Sequence, residues 1–505
     1  MYCHAKLKNI SQHTVISAHL FLPDYSPMNR DSFYPAIACF PLLLMLAGCA
    51  PMHETRQALS QQTPAVQVDT ALPTALKNGW PDSQWWLEYH DNQLTSLINN
   101  ALQNAPDMQV AEQRIQLAEA QAKAVATQDG PQLDFSADME RQKMSAEGLM
   151  GPFALNDPAA GTTGPWYTNG TFGLTAGWHL DIWGKNRAEV TARLGTVKAR
   201  AAEREQTRQL LAGSVARLYW EWQTQAALNT VLQQIEKEQN TIIATDRQLY
   251  QNGITSSVEG VETDINASKT RQQLNDVAGK MKIIEARLSA LTNHQTKALK
   301  LNPVALPKVA SQLPDELGYS LLARRADLQA AHWYVESSLS TIDAAKAAFY
   351  PDINLMAFLQ QDALHLSDLF RHSAQQMGVT AGLTLPIFDS GRLNANLDIA
   401  KAESNLSIAS YNKAVVEAVN DVARAASQVQ TLAEKNQHQA QIERDALRVV
   451  GLAQARFNAG IIAGSRVSEA RIPALRERAN GLLLQGQWLD ASIQLTGALG
   501  GGYKR

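Results

Sequence analysis

One half of the chain is written on the plan of the other, so whatever it folds into is built from two copies of the same unit. Placing residues 106–135 over 326–355 aligns Asp107 with Asp327, Gln109 with Gln329, Ala111 with Ala331, Ala124 with Ala344 and Pro131 with Pro351. Leu180, Ile182, Trp183 and Arg187 then fall on Leu385, Ile387, Phe388 and Arg392. Further on, Tyr250-Gln251-Asn252-Gly253-Ile254 recurs as Phe457-Asn458-Ala459-Gly460-Ile461. Ordered recurrence of this kind marks a tandem duplication. The offset drops from 220 to 205 between Pro131 and Leu180, so the first copy carries fifteen extra residues there. They fall in Met144 to Thr168, whose glycines and prolines read as a surface loop.

Each copy reads as strand, loop, strand and then a very long helical stretch. In the second strand Phe172, Leu174, Ala176, Trp178, Leu180 and Ile182 share one face, and Thr171, Gly173, Thr175, Gly177, His179 and Asp181 the other. The first strand alternates likewise from Leu133 to Glu140, and the fourth from Met377 to Ile387. The third, Ile353 to Gln360, is less regular, because Met356 and Phe358 fall on its nominally polar face. Strands apolar on one side and wettable on the other suit a membrane barrel with lipid outside and water inside. Four strands cannot close such a barrel, and an open edge in lipid leaves peptide groups unpaired. The chain must therefore oligomerise, and eight strands from two copies or twelve from three both satisfy the argument.

No proline interrupts Lys185 to Tyr250, a run that as one helix spans roughly 100 Å. Val415, Val419, Val422, Ala426, Val429 and Ala433 step as a coiled-coil seam, and Leu211, Val215, Leu218 and Trp222 begin another. Small knobs of this kind let helices approach closely, as a wall of helices requires.

The only cysteines, Cys3, Cys39 and Cys49, sit in the first tenth of the 505 residues, which excludes a disulfide framework, a cysteine metal knot or a thiol nucleophile in the body. Lys plus Arg number 45 against 48 Asp plus Glu, so there is no basic field to hold nucleic acid. The apolar run Ala36 to Leu46 is too short to span a bilayer as a helix but suits a secretory signal. It leads into Leu46-Ala47-Gly48-Cys49, which resembles the lipobox of bacterial lipoproteins and marks Cys49 as a lipid anchor. Met28-Asn29-Arg30 reads as the start, cleavage falls before Cys49, and Ala50 resembles an outer-membrane sorting residue. His365 and His372 lack a ligand framework, and neither a phosphate loop nor a Gly-x-Ser-x-Gly elbow is present. No cofactor, metal or catalytic set is expected.

Several runs together are highly specific: Trp80-Pro81-Asp82-Ser83-Gln84-Trp85-Trp86, Leu321 to Leu328, Ala348-Phe349-Tyr350-Pro351-Asp352-Ile353, Leu385 to Arg392, and Leu499-Gly500-Gly501-Gly502-Tyr503. From Cys49 to Tyr503 the chain resembles the TolC-like outer membrane factors, in the lipoprotein branch that includes multidrug-efflux outer membrane proteins. Ala326 departs from that pattern, where proline usually follows the paired arginines.

The resemblance implies a mainly α fold with a membrane β part. A homotrimer would combine four strands per chain into a 12-stranded outer-membrane β-barrel, and its long coiled-coil helices would form a periplasmic α-barrel closed at the inner end. It further implies a periplasmic adaptor protein and an inner-membrane drug pump as partners, outer-membrane lipid around the barrel, and no bond chemistry.

The expected organisation is a signal region over 1–48 and a lipidated tether over 49–90. A first repeat over 91–315 would hold strands near 131–143 and 168–183 and a tip at 250–259. A second over 316–498 would hold strands near 351–361 and 376–388 and a tip at 457–469, before a tail over 499–505. The family shapes its inner mouth with these tips. Gly253 and Gly460 fit left-handed turns, and with Ile254 and Ile461 they would dock the adaptor. Glu259 and Arg466, six residues beyond each glycine, occupy positions where the family carries gate-forming aspartates, and they are expected to pair across neighbouring tips. Arg456 and Glu469 are further gate candidates, and Phe457 stands where the family often has tyrosine. Export of drugs or other small toxic compounds is the function expected; a protein-secretion duct or a pore-free periplasmic spacer are the alternatives.

Overall fold

A computed structural model of the chain describes residues 52, 58–61, 80–145, 147, 166–254, 256–293, 299–308, 321 and 323–503, without the side chains of Ser257 and Glu259. The expected leader 1–48, Cys49 and most of the tether and of the 144–168 loop lie outside these residues.

A helical prelude, α1 (Asn92–Asn104), leads into the first copy of the repeat. That copy comprises α2 (Pro106–Ala126), β1 (Gln132–Lys143), β2 (Trp166–Leu180), α3 (Lys185–Gln251) and α4 (Ser257–Leu291). The second copy repeats the order as α5 (Ala326–Ala347), β3 (Asp352–Ala363), β4 (Gln375–Thr384), α6 (Arg392–Asn458) and α7 (Gly464–Ala498). The duplication holds to the residue in the helices that follow each strand pair: α3 and α6 have 67 residues each, and α4 and α7 have 35 each.

The strands form one antiparallel sheet in the order β1-β2-β3-β4. Its register puts Leu133, Phe135 and Met139 beside Ala176, Leu174 and Gly170, and Leu174, Ala176 and Trp178 beside Leu359, Ala357 and Leu355, so one face is continuously apolar. Trp166 and Trp178 lie on that face twelve residues apart, roughly 40 Å along the strand. At the usual strand tilt this is about 30 Å of height, which matches a bilayer's hydrocarbon core. Among the described residues no helix is long and apolar enough to cross a membrane.

Where β4 stops, the fold departs from the alternation. Leu385 and Ile387 continue the pattern on paper, yet the strand ends at Thr384, because Pro386 has no N–H to offer the ladder. The irregular third strand has a physical reason too: Phe358 does face the polar side, where it lies against Gly378 of the next strand.

The turn from sheet to long helix is built alike in both copies. Gly184 and Gly391 take left-handed φ values of +76° and +83°, and a preceding carboxylate caps each helix. Asp181 accepts from the Asn186 and Arg187 amides at 3.1 and 2.9 Å, and Asp389 accepts from the Gly391 and Leu393 amides at 3.0 and 2.8 Å. Indole donors pin the same junction: Trp178 donates to the Asp129 carbonyl at 2.9 Å and Trp183 to the Pro351 carbonyl at 2.8 Å, with the Trp183 ring stacked on Tyr350.

The apolar core lies in the middle of the helices. Trp85, Trp86, Leu94 and Ile98 pack with Leu211, Val215, Tyr219 and Trp222 of α3, Leu288 of α4 and Leu489 of α7. A second cluster joins Leu328 and Val335 of α5 to α6 and to Leu495 of α7. On α6 the buried seam is Tyr411, Val415, Ala418, Val422, Ala425, Ala426, Val429 and Leu432. Val415, Val422, Ala426 and Val429 of the expected heptad are buried, Val419 and Ala433 lie at its half-buried edge, and Ala418 and Ala425 widen the seam. Small residues set the spacing: a Cβ on Gly195 of α3 would sit 3.0 Å from that of Ser337 on α5, and the Ser337 hydroxyl donates to the Ala192 carbonyl at 2.7 Å.

Ala326, the departure from the family pattern, is the first residue of α5, preceded by Arg325 in an extended conformation. That position tolerates proline, because the first helical N–H needs no partner and the preceding residue is already extended. Ala326→Pro is expected to leave thermal stability unchanged or to raise it by up to about 1 kcal/mol; a lowered melting temperature would contradict the assignment.

Candidate functional site

The two hairpin tips farthest from the sheet are built by one device. At the end of α3 the Gly253 amide donates to the Tyr250 carbonyl and the Ile254 amide to that of Leu249, both at 2.9 Å. At the end of α6 Gly460 donates to Phe457 and Ile461 to Arg456, again at 2.9 Å. Gly253 and Gly460 hold φ at +70° and +73°, so each tip closes in a Schellman turn that only glycine makes without strain. Both turns leave a branched apolar side chain in solvent, Ile254 at 70% exposure and Ile461 at 67%. Val258 and Val261 of α4 extend the first of these patches.

Four of the expected gate residues, Arg456, Phe457, Arg466 and Glu469, lie at the second tip. Arg466 Nη1 donates to Glu469 Oε2 at 2.7 Å, one turn along α7. Phe457 folds back on the start of that helix, where a Cβ at Gly464 would meet its ring at 3.4 Å. Arg456 occupies the last turn of α6, where a cation faces the negative helix end. Glu259 opens α4, and its side chain lies outside the described residues.

A further tie was not legible in the sequence. Arg471 of α7 donates to Glu238 of α3 at 3.3 Å and to Gln454 of α6 at 3.3 Å. It therefore joins the second hairpin to the first between the tips and the apolar core. Its partners lie 233 and 17 residues away, so no local spacing announces them. On the first hairpin, Arg271 of α4 holds Glu236 of α3 at 2.9 Å.

Nearer the core, Arg325 is largely buried. Burial alone would disfavour its charge, yet Asp327 at 2.6 Å and Asp421 at 3.6 Å keep its pKa above the ordinary value. Its guanidinium also donates to the Ala498 carbonyl at 3.2 Å, where α7 ends. Arg217 pairs with Asp490 close by. Arg217, Arg325 and Arg424 with Asp327 and Asp421 line a cleft of about 280 Å³ in which cations and carboxylates face one another. Among the described residues no group of histidine, cysteine, aspartate and glutamate side chains is arranged to hold a metal ion.

An amphipathic four-stranded sheet carried on helices that reach roughly 100 Å away from it describes a subunit of an outer-membrane channel. The outer membrane efflux protein family matches residues 97–294 and 317–501, one stretch for each copy of the repeat, and the chain belongs to that family. It is 98% identical over 478 residues to the putative multidrug resistance outer membrane protein MdtQ of Escherichia coli strain K12, covering 95% of this chain and all of that one. It is 36% identical over 466 residues to the multidrug resistance outer membrane protein MdtP of the same strain, over 91% of this chain and 94% of that one. Among solved structures, the outer membrane protein VceC of Vibrio cholerae superposes with a TM-score of 0.71 at 26% identity, covering 84% of this chain and all of that one. The chain is an outer-membrane efflux duct component, and the readings of it as a TolC-like factor and as an outer-membrane protein reaching into the periplasm hold.

Arg471 supplies the test of how the tips are restrained. Arg471→Ala is expected to raise the single-channel conductance of the protein in planar bilayers while the melting temperature changes little, since the pair is partly exposed and contributes on the order of 1 kcal/mol or less. An unchanged conductance would remove this tie from the closing mechanism.

Proposed function

We propose that three copies assemble into one duct, lipid-anchored at Cys49, that carries drugs or other small toxic compounds from an inner-membrane pump and a periplasmic adaptor to the outside. The carrying observation is the open sheet. β1 and β4 each leave one edge of N–H and C=O groups unpaired, and in lipid such an edge must meet another strand. Joining β4 of one copy to β1 of the next closes a ring, and three copies supply the twelve strands that the resemblance implies.

The tether fits the anchor. The Leu59 amide donates to Asn405 Oδ1 at 2.9 Å, and Asn412 Nδ2 donates to the Ser60 carbonyl at 3.0 Å, so this segment runs along α6. Asn405 lies about 20 Å along α6 from its sheet end. The ten residues from Cys49 to Leu59 reach up to about 35 Å, enough for an acylated cysteine to enter the membrane beside the barrel.

The tips would do the work at the inner end. Ile254 and Ile461 give each copy two similarly built apolar knobs on glycine turns, six in a trimer, suited to insertion between helices of an adaptor. In the closed duct Arg466 would bridge to Glu259 of a neighbouring tip, with Glu469 holding the guanidinium in place and Phe457 and Arg456 lining the mouth. The duct supplies a path and the pump supplies the energy.

Planar-bilayer recording tests both parts. The purified lipidated protein is expected to show a small stable conductance that rises several-fold in Arg466→Ala and returns towards the wild-type value in the charge-exchanged Glu259→Arg, Arg466→Glu protein. A conductance indifferent to Arg466→Ala would end the gate, and folded trimer that conducts nothing in any variant would end the duct.

A further inference from the structure

The water side of the sheet is more selective in its chemistry than a polar lining needs to be. Following the register, Asp134, Asp138 and Glu140 of β1 and Asp352 and Asp362 of β3 all fall on the face opposite the apolar one. Arg141 and Lys143 fall on the apolar side, at its outer end beside Trp166. Among the described strand residues the water side thus carries carboxylates and His179 but no lysine or arginine. An enclosed wall of one sign raises the local concentration of counter-ions and repels anions.

One feature of that wall is apolar. Met356 and Phe358 of β3 point to the water side between Asn354 and Gln360. Their cross-strand neighbours are small or hydroxylated: Gly177 and Thr380 beside Met356, Thr175 and Gly378 beside Phe358. The phenyl ring leans along the wall onto β4, because a Cβ built at Gly378 would lie 2.8 and 2.9 Å from its Cζ and Cε1 atoms. The ring therefore forms part of a ledge instead of a plug, and Met356 beside it keeps 42% of its surface exposed. Asp134 stands in the same cross-strand row as Phe358, two strands away through Thr175, roughly 10 Å across the wall.

We propose that Phe358 and Met356, with Asp134, form a resting site on the exit path for organic cations with an aromatic or alkyl body. The proposal rests on the duct reading and adds the chemical class that the outer third of the duct favours. The carboxylates attract the charge, and the ledge removes part of the apolar body from water. The ring also attracts a cation that comes within about 6 Å of its centroid. A small hydrophilic cation gains only the first effect, and an amphipathic anion loses it. Packing of an aromatic ring over a strand glycine would serve the sheet equally well without any ligand, so the test must read binding and not stability.

Tetraphenylphosphonium is the probe, measured by equilibrium dialysis against purified trimer in nanodiscs, with empty nanodiscs subtracted and tetramethylammonium as the small-cation comparison. The account expects saturable binding of tetraphenylphosphonium that weakens about tenfold in Phe358→Gln and in Asp134→Asn. Tetramethylammonium should respond to Asp134→Asn and not to Phe358→Gln. If Phe358→Gln fails to assemble, Met356→Gln carries the same expectation. Absence of saturable tetraphenylphosphonium binding, or equal binding by the wild type and the ledge variants, overturns the site. Binding is read without current, so conductance of the same preparation reports separately on the duct: a conducting protein lacking the binding sinks the ledge alone.

Discussion

A peptide group left unpaired in hydrocarbon costs several kcal/mol, and this chain brings two rows of them to the membrane, along β1 and along β4. Much else follows from that debt of hydrogen bonds. It leaves the single chain's sheet incomplete, and the proposed ring of copies would complete it. Each strand pair must then hand over to a helix at a fixed angle around the ring. Both handovers are held by a left-handed glycine, at 184 and 391, and by a carboxylate cap, from Asp181 and Asp389, and the first copy adds indole hydrogen bonds from Trp178 and Trp183.

Away from the sheet, stability is graded along the helices. The mid-length clusters bury Trp86, Tyr219, Leu288 and Leu489 almost completely, and the Tyr219 hydroxyl donates to Asp91 at 2.7 Å while that carboxylate caps α1. A smaller cluster around Val231, Ile235 and Val277 continues towards the tips. Beyond it Ile242, Ala267 and Val467 are still buried, and Arg471 with Glu238 adds a partly exposed ion pair between the hairpins. Apolar packing is strong and short-ranged, whereas exposed ion pairs contribute little and exchange readily with water. The largest buried side chains thus lie in the middle of the helices, and the packing towards the tips uses smaller ones.

Much of this was legible in the sequence, for identifiable reasons. Alternation exposed the strands because one face meets lipid and the other water, and the duplication exposed the matching tips because a glycine turn leaves a fixed mark. The end of β4 was misjudged where Pro386 overrode the pattern. Most of the α6 seam is legible too, but alanine and valine fill several neighbouring positions, so that Ala418 and Ala425 are not told apart from Val419 and Ala433. Phe358 looked like an irregularity until the register set it beside Gly378. Arg471 with Glu238 and Arg325 with Asp421 could not be read at all, because ion pairs between distant helices leave no local period. The Arg466 contact with Glu469 does follow a local period, the helical i, i+3 spacing.

Closure of the sheet between copies is the central claim and is open to a direct test, since the body of the chain after Cys49 has no cysteine of its own. Ala137→Cys on β1 would be combined in turn with Val379→Cys, Ala381→Cys and Leu383→Cys on β4, and the protein oxidised in outer membranes. Within one copy these strands lie at opposite edges of the sheet, so a disulfide can form only between copies. At the correct register the account predicts a covalent ladder that ends at three chains. A ladder ending at two, or monomer at every register, would contradict it.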